Sequence, residues 1–149
     1  MTWCLVGSEM CIRDRYGTSR VLLGLKSIGL ENNDNLIQNS LSFLLSCQNT
    51  DGGFGEDPES YFDVRLAGKG GSSVQQTAWV IRSLIEWLPK VHIAIKKGIA
   101  YLEQSDECSI RSKYLGVSMP PLMFAYTDLV HWNTLEVLTQ FEKLTQSGN

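Results

Sequence analysis

The residues able to do chemistry on their own are few and scattered. Cysteines stand at positions 4, 11, 47 and 108, with no paired spacing of a zinc site or a disulfide framework, and read as free thiols of a reducing compartment. His92 and His131 have no carboxylate, cysteine or second histidine at helical metal spacing, so surface or helix-end roles suit them better than ligation. Asp51, Asp57 and Asp63 are dispersed through a glycine-rich stretch, where turn formation accounts for them better than acid catalysis. A different resource is the π face of Trp79, which can stabilise a cation where water is excluded. A tryptophan beside a strong apolar helix face is, however, more often core.

The elements that must position these residues are helical. From Tyr16 to Gly29 the residues Val21, Leu22, Leu25 and Ile28 recur at helical spacing, and Gly29 stands where a left-handed cap is expected. Asn33 and Asp34 can cap a second helix with the face Ile37, Leu41, Leu44 and Leu45, ending near Cys47 or Gln48. The two pack as a hairpin. Residues 49–72, glycine-rich and with one proline, form a long ordered loop. Ser73 and Gln76 make a capping box for a third helix with the face Val74, Ala78, Ile81, Ile85 and Leu88, ended by Pro89. A fourth carries Val91, Ala94, Ile95, Gly98, Ile99 and Leu102 on one side, and a fifth segment from Pro120 to Thr145 breaks near Asn133. Thr18, Val21, Leu22 and Leu25 reappear as Thr77, Val80, Ile81 and Leu84, and Phe43-Leu44 as Tyr101-Leu102. Such self-similarity marks a two-helix repeat in which each hairpin buries its apolar face on the next.

The 149 residues, 43% of them hydrophobic, suffice for one domain. Thirteen basic and sixteen acidic residues, without blocks of either sign, give no nucleic-acid footprint. No apolar run approaches the roughly 20 residues that span a bilayer. Met1 to Arg15, MTWCLVGSEMCIRDR, has neither periodicity nor signal-peptide organisation, and it resembles the translated sequencing-adapter tail found at contig ends. The expected organisation is therefore a non-native segment 1–15 followed by one domain, 16–149.

Gln48-Asn-Thr-Asp-Gly-Gly-Phe-Gly-Glu56 is followed by Glu59-Ser-Tyr61, Asp63, Leu66-Ala-Gly-Lys-Gly70, Ser72 and Gln76-Thr-Ala-Trp79. Upstream lie Tyr16-Gly-Thr18, Arg20-Val-Leu22 and Gly24-Leu25. In order and spacing, from Tyr16 to about Leu102, these resemble the C-terminal region of the squalene-hopene and oxidosqualene cyclases. The resemblance implies an all-α chain of helical-hairpin repeats forming part of an α/α toroid (an α6-α6 barrel). It also implies a repeated clamp of basic residue, glycine, aromatic-leucine, glutamine, glycine and tryptophan. Phe43, Leu44, Gln48 and Gly52 match one copy, with Asn39 and Ser40 in the basic and glycine positions and Phe54 in the tryptophan position. Lys97, Gly98, Tyr101 and Leu102 match a second copy, in which Asp106 replaces the glutamine and the glycine-tryptophan end is missing. These residues are expected to be structural: a glutamine amide can satisfy helix-end backbone groups, and Asp51-Gly52-Gly53 supplies a positive-φ turn.

Activity and partners are likewise implied by the resemblance. Such cyclases convert squalene or a related polyprene through carbocations, begun by an acid that in the hopene-forming branch is an Asp-x-Asp-Asp motif. No such string occurs here, so no catalytic acid can be named. Trp79 matches a family tryptophan facing the substrate cavity, and Tyr16 is a weaker cavity candidate. Gly116-Val-Ser-Met-Pro-Pro-Leu-Met-Phe-Ala-Tyr-Thr127 falls where hopene cyclases place further cavity aromatics, but Met119 and Met123 stand in place of phenylalanines. Tyr126-Thr127 resembles a pair in the oxidosqualene branch. Met119, Met123 and Tyr126 are thus cavity candidates for which ordinary core is the competing role. The family implies no cofactor, no metal, and monotopic association with the cytoplasmic side of a membrane. Two other readings stand beside it. Protein prenyltransferase β-subunits share hairpin repeats and glycine-glycine-phenylalanine turns but need an Asp-Cys-His zinc set, which is absent. A non-catalytic helical toroid that binds lipid or protein would fit the eroded second clamp and the methionines.

Overall fold

The computed structural model describes residues 14–55, 65, 69–89, 91–105 and 127–146. Five helices account for most of them: α1 (Asp14–Ser27), α2 (Asn35–Ser46), α3 (Val74–Trp87), α4 (Ile93–Glu103) and α5 (Thr127–Gln146). The one β feature among the described residues is an isolated bridge between Phe54 and Ser73. The chain is all-helical, as the repeat pattern requires.

Three helices form a row, α1 against α3 and α3 against α5, while α2 covers α1 and α4 covers α3. The row runs parallel. Tyr16 meets Trp79 near the start of α1 and α3, and the Trp87 indole N–H donates to the Leu22 carbonyl (3.0 Å) two turns on. Along α3 and α5, Arg82 pairs with Glu136 (2.7 Å) and Gln140 donates to Glu86 (2.6 Å), both at one offset in sequence. Hairpins α1–α2 and α3–α4 are thus successive copies of one unit, which is the physical content of the sequence repeat.

The central position of α3 shows in its burial. Val74 to Ile81, Ser83, Leu84, Ile85 and Trp87 are all buried, not one stripe alone, because α1, α4 and α5 cover different sides. The core gathers Leu22, Ile37, Leu41, Leu44, Phe54, Ile81, Leu84, Ile95, Leu102 and Val137. Start and stop signals work as read for α2 and α3. The Asp34 carboxylate accepts from the Leu36 N–H (2.8 Å), and the Ser73 hydroxyl accepts from the Gln76 N–H (3.3 Å). Gly29 has φ 80°, the left-handed conformation expected after α1.

Several expectations fail locally. Helix α1 begins at Asp14, two residues before the start expected at Tyr16, and Arg15 is buried. Val21 and Ile28 are exposed (54% and 72%): seven residues apart, they share a stripe that faces neither α2 nor α3. Val91 is exposed and precedes α4, because the His92 side chain caps that helix by accepting from the Ala94 N–H (3.3 Å). No break occurs at Asn133. Its side chain is buried beside Val130, Thr134 and Val137 on the packed face of α5, and burial against α3 outweighs the weak helix propensity of asparagine.

Candidate functional site: an aromatic pair on α1 and α3

Helix geometry directs Trp79 away from the outer layer. Ile81 is the α3 residue pressed against Gly98 of α4, and Trp79, two residues earlier, lies roughly 200° around the helix from it. There it meets Tyr16 of α1, with ring centroids 4.5 Å apart and planes tilted by 57°. This tilted packing sets the electropositive edge of one ring near the face of the other. The Arg20 guanidinium lies over the Tyr16 ring, 5.2 Å from its centroid. Trp79 is buried and its indole N–H has no acceptor, whereas Tyr16 is half-buried. The parallel packing of α1 and α3 thus brings together two of the five cavity candidates named from sequence. Met119, Met123 and Tyr126 lie outside the described residues.

A second tryptophan anchors this pair. Trp87, two turns on, is buried, donates to the Leu22 carbonyl, and carries the Lys26 ammonium 4.6 Å from its ring centroid. The Asn32 amide, from the α1–α2 connection, donates to the Trp87 carbonyl (3.1 Å). These contacts fix the register of α1 on α3, and with it the Tyr16–Trp79 contact.

The clamp residues reach further than the sequence picture of a helix tied to its own turn. The Gln48 amide donates to the carbonyl of Gly52 (2.8 Å) and to that of Ala94 (2.9 Å), joining the end of α2 to α4. Gly52 has φ 86°, and a Cβ there would stand 2.6 Å from the Lys97 carbonyl oxygen. A Cβ on Gly98 would lie 2.2 Å from the Ile81 side chain, so this glycine lets α4 approach α3. Residues of both motif copies therefore meet: Gly52 of the first lies against Lys97 and Gly98 of the second, and the adjoining Gly53 against Tyr101. Among the clamp residues, Leu44, Phe54 and Leu102 are fully buried core, Phe43 and Tyr101 are half-buried, and Lys97 is exposed. Burial raises the pKa of Tyr101 above 10.0, and the Asp51 carboxylate adds to the shift.

Asp51 itself is a turn residue. Its carboxylate accepts from the Gly53 N–H (2.9 Å) and the Ser72 hydroxyl (2.7 Å). Asn49 spans the same loop, donating to the Gly70 carbonyl and the Ser72 hydroxyl, both at 2.9 Å. The buried Thr77 hydroxyl accepts from the Phe54 N–H (2.8 Å) and donates to the Ser73 carbonyl (2.7 Å). The glycine-rich loop is thereby fastened to α3 two residues from Trp79. No group of three or more His, Cys, Asp or Glu residues among the described residues is arranged to hold a metal ion. No described helix is long and apolar enough to cross a membrane.

Comparison with known proteins gives this arrangement a family. The model of the squalene-hopene cyclase C-terminal domain matches residues 10–141. A terpene cyclase-glycosyl transferase fusion protein of Humicola fuscoatra is 30% identical over 138 residues, covering 85% of this chain and 10% of that protein. A squalene–hopene cyclase of Bradyrhizobium diazoefficiens is 40% identical over 91 residues, 58% of this chain and 13% of that enzyme. A squalene–hopene cyclase of Alicyclobacillus acidocaldarius is 40% identical over 90 residues, 60% of this chain and 14% of that enzyme. Matched segments span between 8% and 14% of the length of these curated relatives. With the family model matching most of its length, this all-helical chain belongs to the squalene-hopene cyclase C-terminal domain family.

Proposed function

We propose that the chain supplies part of the wall of a cavity in which a polyprene, squalene or a close relative, is cyclised through carbocations. The observation that carries this reading is the buried Trp79 packed on Tyr16, on the side of α3 turned away from α4. A cationic cyclisation needs a site without water and with ring faces along the path of the charge, since a desolvated cation–π contact is worth about 2 kcal/mol. Trp79 is the principal face and Tyr16 its neighbour. Met119, Met123 and Tyr126 are further cavity candidates on the family resemblance alone. The acid that starts the reaction belongs to other residues of the whole cyclase, because this sequence holds no Asp-x-Asp-Asp string. The clamp residues hold the wall in place and touch no substrate. The whole enzyme associates with one leaflet of a membrane, as a lipid-soluble substrate requires.

The test is to express the full-length protein containing this chain and incubate it with squalene in detergent. Cyclic triterpenes in the extract are expected. A folded full-length protein without an Asp-x-Asp-Asp acid and without turnover would favour a non-catalytic toroid that binds lipid or protein.

A further inference from the structure

Helix α3 carries one polar stripe, Gln75, Trp79, Arg82 and Glu86, at successive helical turns. Helix α5 carries a matching stripe, Asn133, Glu136 and Gln140. Along the C-terminal half of this parallel seam every donor meets an acceptor, Arg82 with Glu136 and Gln140 with Glu86. Along the N-terminal half the pattern changes. Gln75 Nε2, Trp79 Nε1 and Asn133 Nδ2 are all donors, all buried, and none has a hydrogen-bond partner. The three residues are 4%, 4% and 5% exposed. The offset that pairs Arg82 with Glu136 places Trp79 and Asn133 at one level, with Gln75 one turn before.

A buried donor without an acceptor costs about 1–3 kcal/mol, and native chains leave few of them. Trp79 and Asn133, at one level of the seam, are two donors that the two lone pairs of one neutral oxygen can serve, with Gln75 one turn away as a third donor beside them. We infer that Gln75, Trp79 and Asn133 form a binding site for an uncharged oxygen acceptor, a water molecule or the hydroxyl of a terpenoid ligand, beside the Tyr16–Trp79 pair. Neutral amide and indole donors favour a neutral oxygen over a carboxylate or phosphate, which would bring an uncompensated charge into a buried seam. Only the hydroxyl source rests on the polyprene reading; the donor set stands without it.

The test uses the 15N-labelled chain Met1–Asn149, with the Trp79 indole N–H signal identified by its loss in Trp79→Phe. Farnesol supplies a hydroxyl, squalene is the matched hydrocarbon, and detergent alone is the blank. A downfield shift with farnesol and not with squalene assigns the oxygen to a ligand hydroxyl. A water cross-peak at this N–H in the ligand-free chain assigns it to a bound water. No water contact and no shift with farnesol overturns the site. Gln75→Leu and Asn133→Leu provide an independent readout. If an oxygen is held, each weakens farnesol binding by about tenfold or lowers the melting midpoint; if none is held, removing an unpaired donor raises the midpoint and leaves farnesol binding unchanged.

Discussion

Replacing Gly52 by alanine tests the clamp at its tightest point. At φ 86° an alanine occupies left-handed backbone, which costs about 1–2 kcal/mol. Its Cβ would stand 2.6 Å from the Lys97 carbonyl oxygen and 2.9 Å from the carbonyl carbon, and these are backbone atoms of α4 that no rotamer change can move. Relieving that overlap costs a further ~1–3 kcal/mol. Displacing the turn instead would break the Gln48 hydrogen bonds to Gly52 and Ala94 at about 0.5–1.5 kcal/mol each, so it offers no cheaper route. The sum is about 2–5 kcal/mol, and at roughly 2–4 °C per kcal/mol for a chain of this size the midpoint falls by about 4–20 °C. Gly24→Ala is the control, because Gly24 lies in α1 with nothing within 4 Å of an added Cβ. There alanine gains about 0.5–1 kcal/mol of helix stability, and the midpoint should rise. Circular dichroism at 222 nm during heating reads both. Equal midpoints for Gly52→Ala and wild type, or equal losses for the two variants, would refute the argument that the turn is seated on α4.

Three further outcomes follow from the same contacts. Thr77→Val keeps the shape of a fully buried side chain but leaves the Phe54 N–H without its acceptor, so thermal denaturation should show a loss of about 1–3 kcal/mol, with faster amide exchange at Phe54. Tyr101 has a folded-state pKa above its unfolded value of 10.0; its contribution is therefore fully present below pH 10 and disappears as pH rises through the folded pKa. Urea titrations should show wild type losing stability above pH 10 more steeply than Tyr101→Phe, with parallel curves at neutral pH. Arg82 and Glu136 are each about one-third exposed, so a double-mutant cycle should give a coupling of about 0.2–1 kcal/mol that shrinks in high salt.

Helix existence was legible from apolar spacing, and so were the ends of α2 and α3, because Asp34 and Ser73 act locally on N–H groups two or three residues away. A helix-end role for His92 was legible but its cap of α4 was not, since histidine is a rare cap and Val91 extended the apolar pattern past the true start of α4. The continuity of α5 through Asn133 depends on burial against α3, a contact that local propensity does not contain. Trp79 and Tyr16 were named as candidates through the resemblance, but their direct contact follows only from the parallel packing of α1 and α3. Gln48 was legible as a clamp residue; its partner on α4, the Ala94 carbonyl, was not, because a backbone acceptor carries no residue signature. Gln75 escaped attention and Asn133 was read only as a helix break, for the opposite reason. Each is polar punctuation in an apolar pattern, and only burial without a partner marks it as a donor to be satisfied.

The central claim, that Trp79 presents a ring face to a cationic intermediate, is tested most directly by comparing Trp79→Phe with Trp79→Leu in the full-length protein with squalene as substrate. Loss of a contact worth about 2 kcal/mol corresponds to roughly a 30-fold lower rate. The account predicts that phenylalanine, which keeps a ring, retains most of the turnover, while leucine falls by that factor and releases incompletely cyclised products, both variants remaining folded. Equal turnover and an unchanged product mixture for phenylalanine and leucine would contradict it and return Trp79 to an ordinary place in the core.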